Sequence, residues 1–249
     1  MTHDTYRLLV AGASGETGTA LLRYLEPTDY AVRAFTGDER AESSLLSAGA
    51  DEVVVGDLHD ESDAARAVAN VDAVICAVEP NWHSLFWGRL DVGSGVRTLV
   101  DAAVRAGVSY IVLESIIGVD DSRPGMVLPL RLLYHRRLVA RAQTEDHVRS
   151  SGLGYTIIRR GRADGGDATH DIVVAEGGDT VSGSVRRSDV AWLLVAALTT
   201  PEARNRTFEV VSPRCVTDGA QGVVEVDWRG PESGLVARRS DYTIPSSQE

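Results

Sequence analysis

The chain contains no lysine: all 25 of its basic residues are arginine, set against 36 acidic residues for a net charge of −11. Without lysine there is no Schiff-base amine and no Tyr-x-x-x-Lys pair. A basic stripe is missing too, which argues against a nucleic-acid partner, because such a partner needs cations against its phosphates. Cysteine is scarce. Cys76 and Cys215 are too few for a disulfide framework or a four-cysteine zinc site. A single bridge would still be open to them, but a reduced cytoplasmic setting fits the scarcity better. His and Cys are scattered without ligand spacing, so no metal site is expected. Long apolar runs are also lacking. Met1 to Tyr6 is polar, Leu8 to Ala11 is too short for a signal core, and no charge-free apolar stretch reaches the roughly 18 residues of a membrane span. A cytoplasmic protein with no membrane partner is the expectation.

Keeping arginine while discarding lysine has two readings. One is adaptation to a high-salt cytoplasm, where acidic side chains hold hydration and maintain repulsion between molecules. The other is codon usage in a GC-rich genome, which accounts for the arginine but not for the acid excess.

What is present fits a large α/β unit. The chain has 249 residues, 43% of them hydrophobic. That is enough for a core without a disulfide or metal staple, and it excludes wholesale disorder. The first 115 or so residues alternate regularly. Arg7 to Gly12 reads as a buried strand, followed by a helix over Thr17 to Glu26 with Ala20, Leu21, Leu22 and Leu25 on one face. Strands follow at Tyr30 to Phe35, Glu52 to Val55, Asp72 to Ala77 and Tyr110 to Ser115. Helices lie between them at Glu39 to Ala48, Ser62 to Ala69 and Gly93 to Ala106, the first and last of these stopped by Gly49 and Gly107. Short apolar strands separated by helices imply βαβ units, a parallel sheet and right-handed crossovers. The fold class is therefore α/β, a doubly wound parallel sheet (Rossmann fold) with a small C-terminal elaboration. Its ligand crevice lies at the carboxyl ends of the strands.

The second half is looser. Leu128 to Ser150 reads as helix, Gly154 to Ile158 as a strand, Arg162 to Asp179 as loop and Thr180 to Val185 as a short strand. Ser188 to Leu198 reads as a helix that Ser188 could cap. Thr207 to Val211 is a further strand, and Gly222 to Trp228 alternates like an exposed one. No repeat or linker divides the chain. A single domain over 1–249 is expected, with residues from about 160 onward forming its C-terminal elaboration.

The strongest motif is Gly12-Ala13-Ser14-Gly15-Glu16-Thr17-Gly18, between a strand and a helix. Gly12 permits the tight turn, Gly15 the approach of a cofactor backbone, and Gly18 the packing of helix on sheet. The helix start then offers free N–H groups and a positive dipole end to a pyrophosphate.

This G-x-x-G-x-x-G spacing resembles the short-chain dehydrogenase/reductase superfamily, in its atypical branch of NmrA-like proteins and biliverdin/flavin reductases. The resemblance spans roughly residues 6–211. Val55-Gly56-Asp57-Leu58 is similar to the branch's "GD-hydrophobic" element, and Val74-Ile75-Cys76-Ala77-Val78 to its fourth-strand segment. Val100 to Val108 looks like its "AA-x-x-AGV" helix end, Ser151 to Arg159 like its "SGL-x-YT-I-x-R" segment, and Arg187 to Ala191 like its "R-x-DVA" helix start. The resemblance implies a bound nicotinamide dinucleotide. Asp57 and Leu58 would flank the adenine, Ala77 and Val78 would lie along the adenosine ribose, and Ser115 would sit near the nicotinamide. Asp57 has a second reading, as a helix cap.

Cofactor choice is read at the second strand. NAD-binding folds usually end it with an acid that grips both ribose hydroxyls. Here Arg33 and Thr36 can meet a 2′-phosphate, with Arg40 one turn on, so NADP is expected before NAD. Arg33 has a second reading, as a surface charge on an edge position.

Typical members of the superfamily use Ser, Tyr and Lys. Aligned on Ser151-Gly152-Leu153, their Tyr and Lys fall on Val139 and Gln143, and Tyr134 has Leu138 four residues later. The dyad is missing either way. Two functions survive. The first is an oxidoreductase with direct hydride transfer to a small-molecule substrate, with Ser115 and Tyr134 as catalytic candidates and His135 and His147 as further proton sources. The second is a non-catalytic NADP-binding sensor. The segment from Glu79 to Trp87 follows the fourth strand, and Trp82, Phe86 and Trp87 would wall a planar or apolar substrate pocket or else pack a subunit interface or the base of the long helix. Arg160 stands where relatives carry Pro, and would favour an anionic substrate. A monomer and a homodimer are both open.

Overall fold

A computed structural model describes residues 5–79, 92–119, 128–177, 181–216, 220, 222–234 and 237, with only the helical backbone of 92 and 128–137. In the first half, β1 (Arg7–Ala11) leads through a glycine turn into α1 (Glu16–Leu25). Next come β2 (Ala31–Thr36), a 3-10 turn at Glu39–Ala41, α2 (Glu42–Ser47), β3 (Glu52–Val55), α3 (Glu61–Val68) and β4 (Ala73–Cys76). Then α4 (Val92–Ala106), β5 (Tyr110–Ile116), α5 (Leu128–Ser150) and β6 (Gly154–Arg160) carry the chain across the sheet. Among the described residues no helix is long and apolar enough to cross a membrane.

Eight strands make one sheet in the order β3-β2-β1-β4-β5-β6-β10-β8, where β8 is Val173–Ala175 and β10 is Arg206–Val211. All neighbours are parallel except β8 against β10. The doubly wound Rossmann expectation is met. Strand order reverses between β1 and β4, and this is where such folds open a ligand crevice.

The helices cover both faces, as right-handed crossovers require. On one face α1, α2 and α6 (Arg187–Ala196) bury Leu21, Leu22, Leu25, Leu45, Val190 and Leu194 against Leu8, Val10 and Val112. On the other, α3, α4 and α5 bury Ala64, Val68, Leu99 and Val148 against Leu9, Val74 and Ile111. Each fully buried leucine stabilises by roughly 1.5–3 kcal/mol, so these faces fix where each helix begins. That in turn fixes the crevice.

The looser second half departs from expectation in instructive ways. The stretch expected as loop over 162–179 holds two three-residue strands. β7 (Arg162–Asp164) pairs with β9 (Ser184–Arg186), and β8 adds to the sheet edge through Val210 and its neighbours. Runs this short have no visible period and form because a partner edge is available. The strand expected at 180–185 is β9, starting later. Ser188 does not cap α6: Arg186 occupies the cap position without a side-chain bond, and Ser188 Oγ donates to the Gly166 carbonyl at 2.7 Å. The alternating 222–228 stretch makes a single antiparallel bridge, Val223 to Ala175, and Trp228 meets Phe208 edge-on at 5.3 Å. Farther on, the Ala237 N–H donates to the Tyr30 hydroxyl at 2.9 Å.

Candidate functional site

The turn after β1 is shaped by contact with β4. Gly12 has φ +82°, and a Cβ there would sit 2.6 Å from the Ala77 carbonyl oxygen and 2.9 Å from Val78 Cα. A Cβ on Gly18 would meet Ala13 Cα at 2.6 Å. Both glycines are therefore steric necessities, one for loop against β4 and one for helix against loop. Gly12 and Ala13 both donate to the Phe35 carbonyl, at 3.2 and 3.1 Å. Ser14 Oγ lies 2.7 Å from Thr36 Oγ1, which ties the loop to the end of β2. Gly15 is the N-cap of α1 and gives it no side-chain bond. The first-turn N–H groups of α1 thus point at the crevice without a side-chain acceptor, the arrangement that suits a phosphate.

At the end of β2 the structure corrects one expectation. Arg33 does not reach toward the crevice. Its guanidinium bonds Glu52 at 2.8 Å and the carbonyls of Ala67 and Ala69 at 2.9 and 2.8 Å, closing the C-terminus of α3. It is the third residue of β2, and a cation there satisfies orphan carbonyls and the negative end of a helix dipole. Thr36 is buried, and its hydroxyl also accepts the Asp38 N–H at 3.1 Å. Asp38 accepts the Arg40 N–H at 3.0 Å, so its carboxylate caps the following turn. Arg40 itself is exposed beside that strand end. Asp57 accepts the His59 N–H at 2.9 Å, and the cap of α3 is Asp60. Leu58 and Ala77 are buried, and Val78 partly so. Cys76, buried beneath them, has its thiol pushed by burial to about 11, which leaves it a packing group.

At the ends of β5 and β6, alternation sends neighbouring residues to opposite faces. Toward α5, Ser115 is 1% exposed, and its hydroxyl donates to Glu145 at 2.6 Å. Glu145 is 0% exposed and also receives Arg159 Nη2 and Arg149 Nη2, each at 2.8 Å. The Ser115 proton is committed to a carboxylate, so the expected hydrogen bond from Ser115 to a substrate has no proton to offer. His147 pairs with Asp101 at 2.7 Å, bridging α5 to α4, and serves no crevice role. The side chains of Tyr134 and His135, and residues Trp82, Phe86 and Trp87, lie outside the described residues.

Toward α1 and α6 the same strand ends carry a second ionic cluster. Thr17 Oγ1 donates to Glu114 Oε1 at 3.2 Å, and Arg160 Nε donates to the same oxygen at 2.6 Å. Arg160 Nη2 also bonds Glu79, just after β4. Burial alone would lower the Arg160 pKa, but the Glu114 and Glu79 carboxylates outweigh it and raise it. Its charge is neutralised in place, so it gives little support for an anionic substrate. Arg187, first residue of α6, bonds Glu16 at 2.6 Å and the Thr17 hydroxyl at 3.3 Å.

Comparison with known proteins settles what this cradle belongs to. The profile of the NAD(P)H-binding family matches residues 12–201. The chain belongs to the NAD(P)H-binding family. It is an atypical short-chain dehydrogenase/reductase, as the motifs indicated, and it sits within a nicotinamide-dependent oxidoreductase family. An uncharacterised chloroplastic protein of Arabidopsis thaliana is 32% identical over 217 residues, covering 84% of this chain and 77% of its own. Sanguinarine reductase of Eschscholzia californica is 27% identical, covering 82% and 88%. A putative NAD-dependent epimerase/dehydratase from Bacillus halodurans superposes with a TM-score of 0.74 at 25% identity, covering 83% of this chain and 94% of that one.

The residues at hand fit what an NAD(P)H-binding chain must hold. The pyrophosphate needs backbone donors and close approach, and Gly12 to Gly18 provide both. Sequence reasoning missed Glu79, Glu114, Glu145 and Arg187. One signal was available: Glu114 sits inside the apolar run Ile111 to Ile117, and Arg159 and Arg160 directly follow Ile157-Ile158. Charges in a strand that reads as buried must have partners.

Proposed function

We propose that the protein is an NADP-dependent oxidoreductase that passes hydride directly to a small-molecule acceptor without a Tyr/Lys dyad. The observation that carries this is the glycine-built phosphate cradle, where neither Gly12 nor Gly18 has room for a Cβ, in a chain that has no lysine for a Tyr/Lys dyad. A bound reduced nicotinamide supplies the hydride. The chain's part is to hold the dinucleotide and orient the acceptor, and the proton comes from solvent or from a nearby group, Tyr134 or His135. The reductase name of the Eschscholzia relative supports the class.

NADP is favoured over NAD by the end of β2. The nearest acid, Asp38, is engaged as a turn cap, and the exposed guanidinium of Arg40 stands beside it. With Arg33 committed to α3, Arg40 carries the 2′-phosphate contact. Ser14 and the N–H groups of Glu16, Thr17 and Gly18 serve the pyrophosphate, with Gly15, whose own N–H closes the turn onto the Gly12 carbonyl at 3.0 Å, giving it room to approach; Asp57 and Leu58 serve the adenine, and Ala77 and Val78 the ribose. Mixing the protein with NADPH and a panel of flavins, quinones and aldehydes tests the proposal. Oxidation of NADPH well above that of a Gly15→Asp variant is expected, and a rate equal to that variant overturns it. A second reading, a non-catalytic NADP-binding sensor, is favoured by the burial of Ser115. It predicts NADPH binding with no turnover across the panel.

A further inference from the structure

We infer that Arg187 is the counter-charge of the cofactor's pyrophosphate, and that Glu16 holds its place until the phosphate arrives. The inference rests on the dinucleotide reading above. Arg187 is the first residue of α6, where the helix dipole disfavours a cation. Its guanidinium also lies at the first turn of α1, a second positive helix end, since Nη1 is 3.3 Å from Thr17 Oγ1. Neither helix start has a side-chain cap. A cation held between two positive dipole ends marks a position built for an anion.

The anions now present are poor permanent partners. Glu16 bonds Arg187 at 2.6 Å, but its side chain is 77% exposed against 19% for Arg187. Glu79 approaches only to 3.7 Å and is engaged with Arg160. The arginine is held and the carboxylate is easily displaced. The cluster is also incomplete as it stands: Glu114, 3% exposed and bonded to Thr17 through Oε1, has an Oε2 with no hydrogen-bond partner among the described residues. A dinucleotide brings both missing groups, phosphate oxygens for Arg187 and hydroxyl donors for the carboxylate side. No side chain need be rebuilt, since Arg187 exchanges one oxyanion for another and Glu16 swings into solvent.

The test is titration of four ligands into wild type, Arg187→Gln and Glu16→Gln: NADPH, NADH, ADP-ribose and adenosine 2′-phosphate. Arg187→Gln is expected to weaken the first three by ten- to a hundredfold, by similar factors, because all three carry the pyrophosphate. Adenosine 2′-phosphate, which lacks it, should bind as before. Glu16→Gln removes the competing carboxylate at an exposed site that folding does not depend on, and should tighten the first three several-fold. Wild type that binds NADPH while Arg187→Gln binds it equally well overturns this inference alone. So does weaker binding to Glu16→Gln, which decides the matter even where Arg187→Gln does not fold. Wild type that binds none of the four overturns the dinucleotide reading together with it.

Discussion

Two ionic clusters grow from the same pair of strand ends and behave as opposites. Ser115 and Arg159 are direct cross-strand partners and face α5, where Glu145 meets both. Glu114 and Arg160 are their chain neighbours and face α1 and α6. Strand period alone separates them. The α5 cluster is sealed around Ser115, Glu145 and Arg159, with Arg149 partly exposed at its edge, and its worth is structural: buried charges are costly unless fully paired, and removing one partner exposes that cost. The α1/α6 cluster opens through Glu16 and Glu79 to the crevice, so its partners can be exchanged. The expected catalytic serine lies in the sealed cluster, and the arginine with an exchangeable partner lies in the open one.

Four measurements would break or sharpen this contrast. Glu145→Ala leaves Arg159 buried without its main carboxylate and should cost about 3–5 kcal/mol. Urea unfolding checks it, and a loss below about 1 kcal/mol would mean the α5 cluster is not structural. Next comes the far end of β5, on the opposite face from Ser115. The buried Tyr110 hydroxyl contacts Thr156 at 2.6 Å, and burial raises its pKa to about 12 from 10.0. The folded state keeps the proton longer than the unfolded chain does, so this stabilisation is full below pH 10 and is lost as pH rises from 10 to 12. The loss amounts to about 2–3 kcal/mol. Tyr110→Phe should flatten that part of the stability profile, and an unchanged slope would assign base lability elsewhere. Third, Arg33→Ala should cost about 1–2 kcal/mol through the lost closure of α3 while leaving the NADPH to NADH preference intact. Arg40→Gln should do the reverse, cutting that preference about tenfold at little cost in stability. Smallest, Glu16→Gln should change the unfolding free energy by less than about 0.5 kcal/mol, and a larger loss would place Glu16 among the structural charges.

Local signals were the legible ones. The glycine loop could be read from sequence because its parts lie within seven residues and each has a steric reason. The parallel strands and their helices were legible to within a residue or two, because period and glycine stops are properties of neighbours in the chain. Arg33 misled because its true partners, the carbonyls at the end of α3, lie more than thirty residues away and become neighbours only through packing. The Ser115–Glu145 bond, thirty residues apart, was hidden for the same reason. β8 was missed because an antiparallel edge strand of three residues is created by the strand it joins.

The bond from the Ala237 N–H to the Tyr30 hydroxyl joins positions 207 residues apart. Tyr30 also stacks edge-on against Tyr6 at 5.7 Å, so the corner where the sheet begins is completed by a segment that follows nearly the whole fold. At the roughly 5–20 residues per second of ribosomal synthesis, about 10–40 s separate the emergence of the two groups. For that interval the Tyr30 corner stands without its contact to Ala237. The Ala237 contact therefore joins this corner only after every strand of the sheet has been made, and a ribosome-stalled chain ending before residue 237 should show faster amide exchange around Tyr30 than the 249-residue chain.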